Sequence, residues 1–276
     1  MKSGRSRLRS LGSWLLWVLL AGVALQLFFV ARVAMMLVID PQSTAFMRSE
    51  AWRISEQSLS SDSQWRWSSQ WVPYDKISPH LKRAVMASED AGFTEHGGVD
   101  WDAIESAWAK NERRQQIAEK QATKRAEREA RRAAKNPTAA KAAAANTPAT
   151  EKPVKVVGGS TITQQLAKNL LLSGERNLLR KGQELMLALT LEAVLSKERI
   201  LEIYLNNVEW GEGIFGAEAA AQRYFKKSAS QLGAAEAARL AVMLPSPKFF
   251  ETRQGSSYLA RRTSTIVARM GGVDAP

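Results

Sequence analysis

The adjacent acids Glu89 and Asp90 close an apolar pattern that starts near Leu81, and Phe93, His96, Gly97 and Gly98 follow them. On a helix end two neighbouring carboxylates point in different directions, so Glu89 can enter a cleft while Asp90 makes structural bonds. A partly desolvated carboxylate holds its proton to higher pH and can act as a general base near neutrality. Spacing alone also fits a capped helix terminus carrying surface acids, which is the commoner outcome. His96, one of two histidines, braces a loop more often than it binds a metal in such a setting.

A second constellation runs Gly158-Gly159-Ser160-Thr161-Ile162-Thr163-Gln164-Gln165-Leu166-Ala167-Lys168-Asn169. Thr161 with Gln164 three residues later is a capping-box start, which predicts a helix N-terminus with aligned, exposed N–H groups attractive to an anion. Gln165 and Lys168 lie about one turn apart on that helix. The phosphate-loop ending Gly-Lys-Ser/Thr is absent, and the plainer reading is a well-capped helix. In the third, Arg180 and Glu184 are i, i+4 neighbours with Lys181 between them. Glu184 continues through Ala188, Leu191 and Leu195 on an apolar face, so it points inward and needs a cation, whether in a structural ion pair or in a site. One free carboxylate, one paired carboxylate and several cations are what glycosyl transfer from a pyrophosphate donor requires.

The elements that must hold these residues read mostly as helices. Residues 161–172, 178–196 and 198–206 carry apolar side chains at three- and four-residue spacing, and 217–225 and 234–243 are Ala-rich. No long alternating strand pattern occurs, so the expected class is mainly α. Residues 40–78 are mixed, with Trp52, Trp65, Trp67 and Trp71 among Ser and Gln; a packed extended segment and a membrane-surface segment both fit.

Leu11 to Ala31 is apolar apart from Gln26, long enough at about 1.5 Å per residue to cross a hydrocarbon core of about 30 Å. Trp14 and Trp17 suit a headgroup belt, and Lys2, Arg5, Arg7 and Arg9 predict a cytoplasmic N-terminus. The run is long, and no small-x-small cleavage pattern follows it, which favours an uncleaved anchor over a signal peptide. The expected organisation is a basic tail over 1–10, an anchor over 11–39 and one domain over 40–276.

Inside that domain, residues 110–155 are rich in Ala, Arg, Glu and Lys, with Pro137, Pro148 and Pro153 near the end. They cannot bury a face, so they read as an insertion, transiently helical to about Asn136 and flexible beyond. The 191 residues outside the first 39 and this stretch suit one domain. The chain carries +12, but residues 1–10 hold +4 and residues 110–155 hold +8. The remaining 22 basic and 22 acidic residues balance, which argues against a nucleic-acid groove in the fold. Without cysteine there is no disulfide, thiolate nucleophile or Cys-based zinc site.

At these residues the chain resembles the peptidoglycan glycosyltransferase family, most closely its monofunctional biosynthetic transglycosylases. The family pattern ED-x-x-F-x-x-H-x-G is matched at Glu89–Gly98, GGST-x-x-QQ-x-x-KN at Gly158–Asn169 and RK-x-x-E at Arg180–Glu184. Lys197–Asn206 matches K-x-x-ILE-x-YLN, and the block Trp210–Phe225 and Leu244–Pro247 follow in the family's order. The resemblance implies a lysozyme-like domain in the inner membrane, facing the periplasm, that polymerises lipid II onto a growing glycan strand in cell wall synthesis. It implies Glu89 as the base that deprotonates the acceptor 4-hydroxyl. It implies Glu184, Arg180, Lys181, Lys168, Gln165, Thr161 and Asn169 around the donor pyrophosphate, with Asp90, Phe93, His96 and Ser160 shaping the site.

A divalent cation (Mg or Mn) is admitted at the pyrophosphate by the same resemblance, without a dedicated ligand cluster. Membrane lipid and other cell-wall proteins are the partners it allows. No Ser-x-x-Lys occurs, so acyl transfer is not expected. The 110–155 stretch departs from the shorter connection usual in the family, and a solvated insertion fits it better than a lipid-contacting one. Two other classes stay open: a lytic enzyme, disfavoured by the cationic site, and a catalytically silent scaffold, disfavoured by intact Glu89 and Glu184.

Overall fold

The computed structural model describes residues 2–60, 66–135, 159–172 and 178–276. It divides into two units, residues 1–99 with 161–276 and residues 100–160. The first unit is built from helices, as the spacing predicts. α1 spans Lys2–Met35, α2 Ala45–Ser60 and α3 Pro79–Glu89. The second unit holds α4, Trp101–Lys135. The first unit resumes with α5 (Ile162–Leu171), α6 (Leu178–Val194), α7 (Lys197–Asn207) and α8 (Ala217–Phe225). It ends with α9 (Ala234–Met243), α10 (Pro247–Glu251) and α11 (Ser257–Arg269).

Local chemistry explains the starts and stops around the site. Ser78 caps α3, its hydroxyl accepting from the His80 N–H at 3.2 Å, and Pro79 at the first helical position fits because its missing N–H would be unpaired there anyway. Ser196 caps α7 through the Arg199 N–H. Helix α9 packs against both α3 and α11, while α5 lies against α2, α6 and α7. The apolar faces of α3, α5, α6, α7, α9 and α11 join one core whose largest fully buried side chains include Trp210, Tyr204 and Phe93.

Two features differ from the sequence expectation. Residues 45–60, expected as a mixed segment, form α2; its outward face of Trp52, Glu56 and Leu59 hides the helical period from a hydropathy reading. A small sheet exists as well. β1 (Ser68–Ser69) runs parallel to β3 (Ile214–Phe215), and β2 (Glu209–Gly211) runs antiparallel to β3 with an irregular register. Strands of two and three residues are too short to show alternation. The β2–β3 turn needs Gly213, with φ +69, because a Cβ there would stand 2.1 Å from the Arg66 carbonyl oxygen.

Of the four tryptophans, Trp52 is exposed on α2, Trp67 packs on Phe215 with centroids 4.8 Å apart, and Trp71 lies beside the core under the Arg199 guanidinium. Trp65 lies outside the described residues.

Gly12–Met35 of α1 is long and apolar enough to cross a membrane, which fits a single-pass anchor. Its far end is built into the domain: Val33 and Met36 belong to the core, and Arg199 donates from Nε to the Met36 carbonyl at 2.8 Å. Deeper in the span, Gln26 donates to Gln183 of α6 at 3.0 Å, giving the one strongly polar side chain of the apolar run a partner.

In the second unit α4 runs on to Lys135, in line with the helix expected to about Asn136 from the high helix propensity of Ala, Arg, Glu and Lys. Asp100 caps it, Oδ1 accepting from the Ala103 N–H at 2.7 Å. The expected flexible remainder, including the three prolines, falls on residues outside those described.

Candidate active site

Helix α3 ends at Glu89, and Asp90 follows as its C-cap, so the two acids diverge as expected. Asp90 is buried and structural: Oδ2 accepts the backbone N–H of Ile162 at 2.9 Å, and Oδ1 lies 2.8 Å from His96 Nε2. His96 Nδ1 in turn accepts the Gly98 N–H at 3.1 Å, so the ring carries its proton on Nε2 and donates it to Asp90. Burial holds the Asp90 carboxyl above its ordinary value, with His96 and the Ile162 N–H pulling the other way. Beneath this loop, Phe93 is fully buried with the Lys197 ammonium 4.6 Å from its ring centre, and that ammonium also donates to the His96 carbonyl at 2.6 Å.

The capping box at Thr161 forms as the sequence predicts: its hydroxyl accepts the Gln164 N–H at 3.1 Å, and Gln164 Oε1 accepts the Thr161 N–H at 3.3 Å. The expectation that this terminus is open to an external anion is corrected. Thr161, Ile162, Thr163 and Gln164 are buried, and the anion at this helix start is Asp90 of the same protein. The Thr161 hydroxyl also donates to the Gly98 carbonyl at 2.7 Å, so it ties the two motifs together. Gly98 adopts φ +87, and an added Cβ would meet Glu192 Cγ at 2.8 Å.

Glu89 is placed differently from its neighbour. Its Oε2 accepts from Gln165 Nε2 at 3.2 Å and its Oε1 from the Ser88 hydroxyl at 3.3 Å, and among the described residues it forms no salt bridge. Burial pushes its carboxyl above the ordinary carboxylate value. The Gln165 and Ser88 hydrogen bonds and the nearby Arg262 oppose that shift, while Asp90 adds to it. Gln165, grouped with the pyrophosphate residues in the resemblance, is thus a direct partner of Glu89. Arg262 of α11 carries a field onto Glu89 that no motif in the sequence announces, because α11 lies far along the chain.

Lys168 is exposed on α5 and Asn169 half-buried beside it. On α6, Glu184 is 4% exposed. Arg180 Nη1 lies 3.2 Å from its Oε2, and Lys181 Nζ bonds its Oε1. Ala188, Leu191 and Leu195 continue its face into the core, as the spacing requires. The Glu184 side does not fit a resident divalent cation, since its carboxylate is already neutralised by two side-chain cations. Ser160 is exposed and belongs to the second unit; Gly158 lies outside the described residues.

The model of the family described as "Transglycosylase" matches residues 56–124 and 131–271. A protein of Burkholderia thailandensis called "Biosynthetic peptidoglycan transglycosylase" is 47% identical over 99% of this chain and 92% of its own. Proteins of the same name from Burkholderia orbicola and Burkholderia pseudomallei are 45% and 46% identical, again over 99% of this chain, and over 96% and 92% of their own. These alignments run through the 110–155 stretch, and the family match covers it except for residues 125–130.

Proposed function

The chain belongs to the transglycosylase family and is a peptidoglycan glycosyltransferase of cell-wall biosynthesis, and on that premise we propose that it polymerises lipid II. The observation that supports this reading is the contrast between its two acids. Glu89 is partly desolvated and held by neutral partners, whereas Glu184 is buried between Arg180 and Lys181.

Glu89 is the general base. It takes the proton of the acceptor sugar's 4-hydroxyl as that oxygen forms its bond to the donor's anomeric carbon. The bond from that carbon to the pyrophosphate breaks, the configuration inverts, and undecaprenyl pyrophosphate leaves with the electron pair. Arg180 and Lys181, oriented by Glu184, face the departing charge together with Lys168, and the Asn169 amide adds a neutral donor, so fixed cations and a donor replace water. Thr161 and Asp90 act through the backbone by fixing the start of α5. Phe93 and His96 hold the loop after Glu89.

The N-terminus lies in the cytoplasm, α1 crosses the inner membrane once, and the domain stands at the outer leaflet, where the lipid-linked donor is presented. The described part of the basic stretch, to Lys135, is an exposed helix of the second unit.

Lipid II and purified sacculi, offered separately to the detergent-solubilised full chain, test the reading. Polymer from lipid II with sacculi left intact is expected. Short glycan released from sacculi with no polymer made would replace the synthase by a lytic enzyme, and binding of lipid II without either product would leave a scaffold.

A further inference from the structure

We propose that Tyr204 is a positioning residue for Glu89, acting through the side-chain amide of Gln165. This rests on the reading of Glu89 as the base. Tyr204 sits on α7 with 1% of its surface exposed, and its hydroxyl donates to Gln165 Oε1 at 3.0 Å. Gln165, on α5, passes the constraint on by donating from Nε2 to Glu89 Oε2 at 3.2 Å. Three helices distant in sequence therefore meet in one line of side chains.

The direction of the chain follows from donor and acceptor chemistry. An ionised carboxylate only accepts, so Gln165 must turn its N–H toward Glu89 and its oxygen away. The last torsion of a glutamine is broad and roughly two-fold, so the amide needs a donor at its oxygen end to hold that sense. A tyrosine hydroxyl supplies one; a phenylalanine ring of the same size would not. The hydroxyl keeps its proton, because burial pushes it well above its ordinary value, and the negative fields of Glu89 and Asp90 push the same way. The other groups that face Glu89 are Ser88 and Asp90 at the end of α3 and Arg262 of α11. Ser88 and Gln165 bond the carboxylate directly, and among the described residues Gln165 is the one of the two held from behind.

The test is steady-state polymerisation of labelled lipid II by the full chain across pH, with Tyr204→Phe, Gln165→Ala and the double variant. Tyr204→Phe is expected to lower kcat by about three- to tenfold at unchanged KM, the scale of one neutral hydrogen bond. The acid limb of kcat/KM should move to higher pH, because Glu89 loses support for its charged form. In the Gln165→Ala background the same change should add nothing, since the path to Glu89 is already cut. A loss that repeats in full in that background, or an unmoved acid limb, would overturn the proposal and leave Tyr204 a packing residue. If Tyr204→Phe does not fold, Gln165→Met must reproduce the moved limb, and an unmoved limb there overturns it equally. Glu89→Gln separates the two levels. If it still polymerises, the base assignment fails and takes this proposal with it; if it is inactive while Tyr204→Phe behaves as wild type, this proposal alone fails.

Discussion

The carboxylate of Asp90 accepts the backbone N–H of Ile162 at 2.9 Å, across 72 positions of sequence, and so occupies the N-terminus of the helix that carries Gln165 and Lys168. Its other oxygen accepts the Nε2–H of His96 at 2.8 Å. The residue beside the proposed base therefore fixes the helix that faces it.

Asp90→Asn keeps the size but offers one acceptor oxygen to two donors. Either the Ile162 N–H or the His96 Nε2–H then faces the amide nitrogen, a buried loss of about 1–3 kcal/mol. Thermal unfolding of the full chain is expected to show the corresponding drop, with polymerisation falling further than stability because Glu89 shares the displaced turn. An unchanged melting temperature would contradict this account of Asp90.

Gly98→Ala combines a positive φ with a Cβ 2.8 Å from Glu192 Cγ. Strain of about 1–3 kcal/mol is expected, and it should act on the hydrogen bond from the Thr161 hydroxyl to the Gly98 carbonyl. Amide exchange in residues 161–164 should accelerate relative to α9; equal protection in both proteins would argue that the loop absorbs the methyl group.

Glu184→Gln removes the charge that holds Arg180 and Lys181 in place. Both lipid II affinity and turnover should decline, with kcat/KM down by roughly 10- to 100-fold. Affinity measured apart from turnover checks this, and a variant with normal binding and normal rate would remove Glu184 from the site.

Glu209 gives a pH signature outside the site. Burial pushes its carboxyl up to about 7, Glu50 adding to the shift and Lys248 opposing it. The folded state therefore holds a proton that the unfolded chain has lost, and this group's contribution to stability falls as pH rises between its ordinary 4.5 and about 7. Glu209→Gln should remove that slope, its stability relative to wild type growing through this window by on the order of 1–3 kcal/mol. Parallel melting-temperature curves for the two proteins would contradict the assignment.

The legibility of this fold in its sequence follows the range of the interactions. The helices at Ile162–Leu171, Leu178–Val194 and Lys197–Asn207 stand where apolar spacing puts them, and the Thr161 capping box is local enough to be read directly. Glu184 was legible as a buried, paired acid because its partners sit three and four residues away. The occupant of the α5 terminus was not, because Asp90 reaches it from 72 positions away, and neither was the placement of Gln165 against Glu89, set across 76. Helix α2 escaped notice because its exposed face mixes Trp52, Glu56 and Leu59, and the sheet because its strands are shorter than one period of evidence requires.

Labelled lipid II with wild type and Glu89→Gln, resolved by product length on a gel, tests most directly whether Glu89 takes the acceptor's proton. A glycan ladder from wild type that disappears in Glu89→Gln, while the variant still binds lipid II and melts as wild type does, is the predicted result. A ladder of equal yield from the variant would contradict it and require another base.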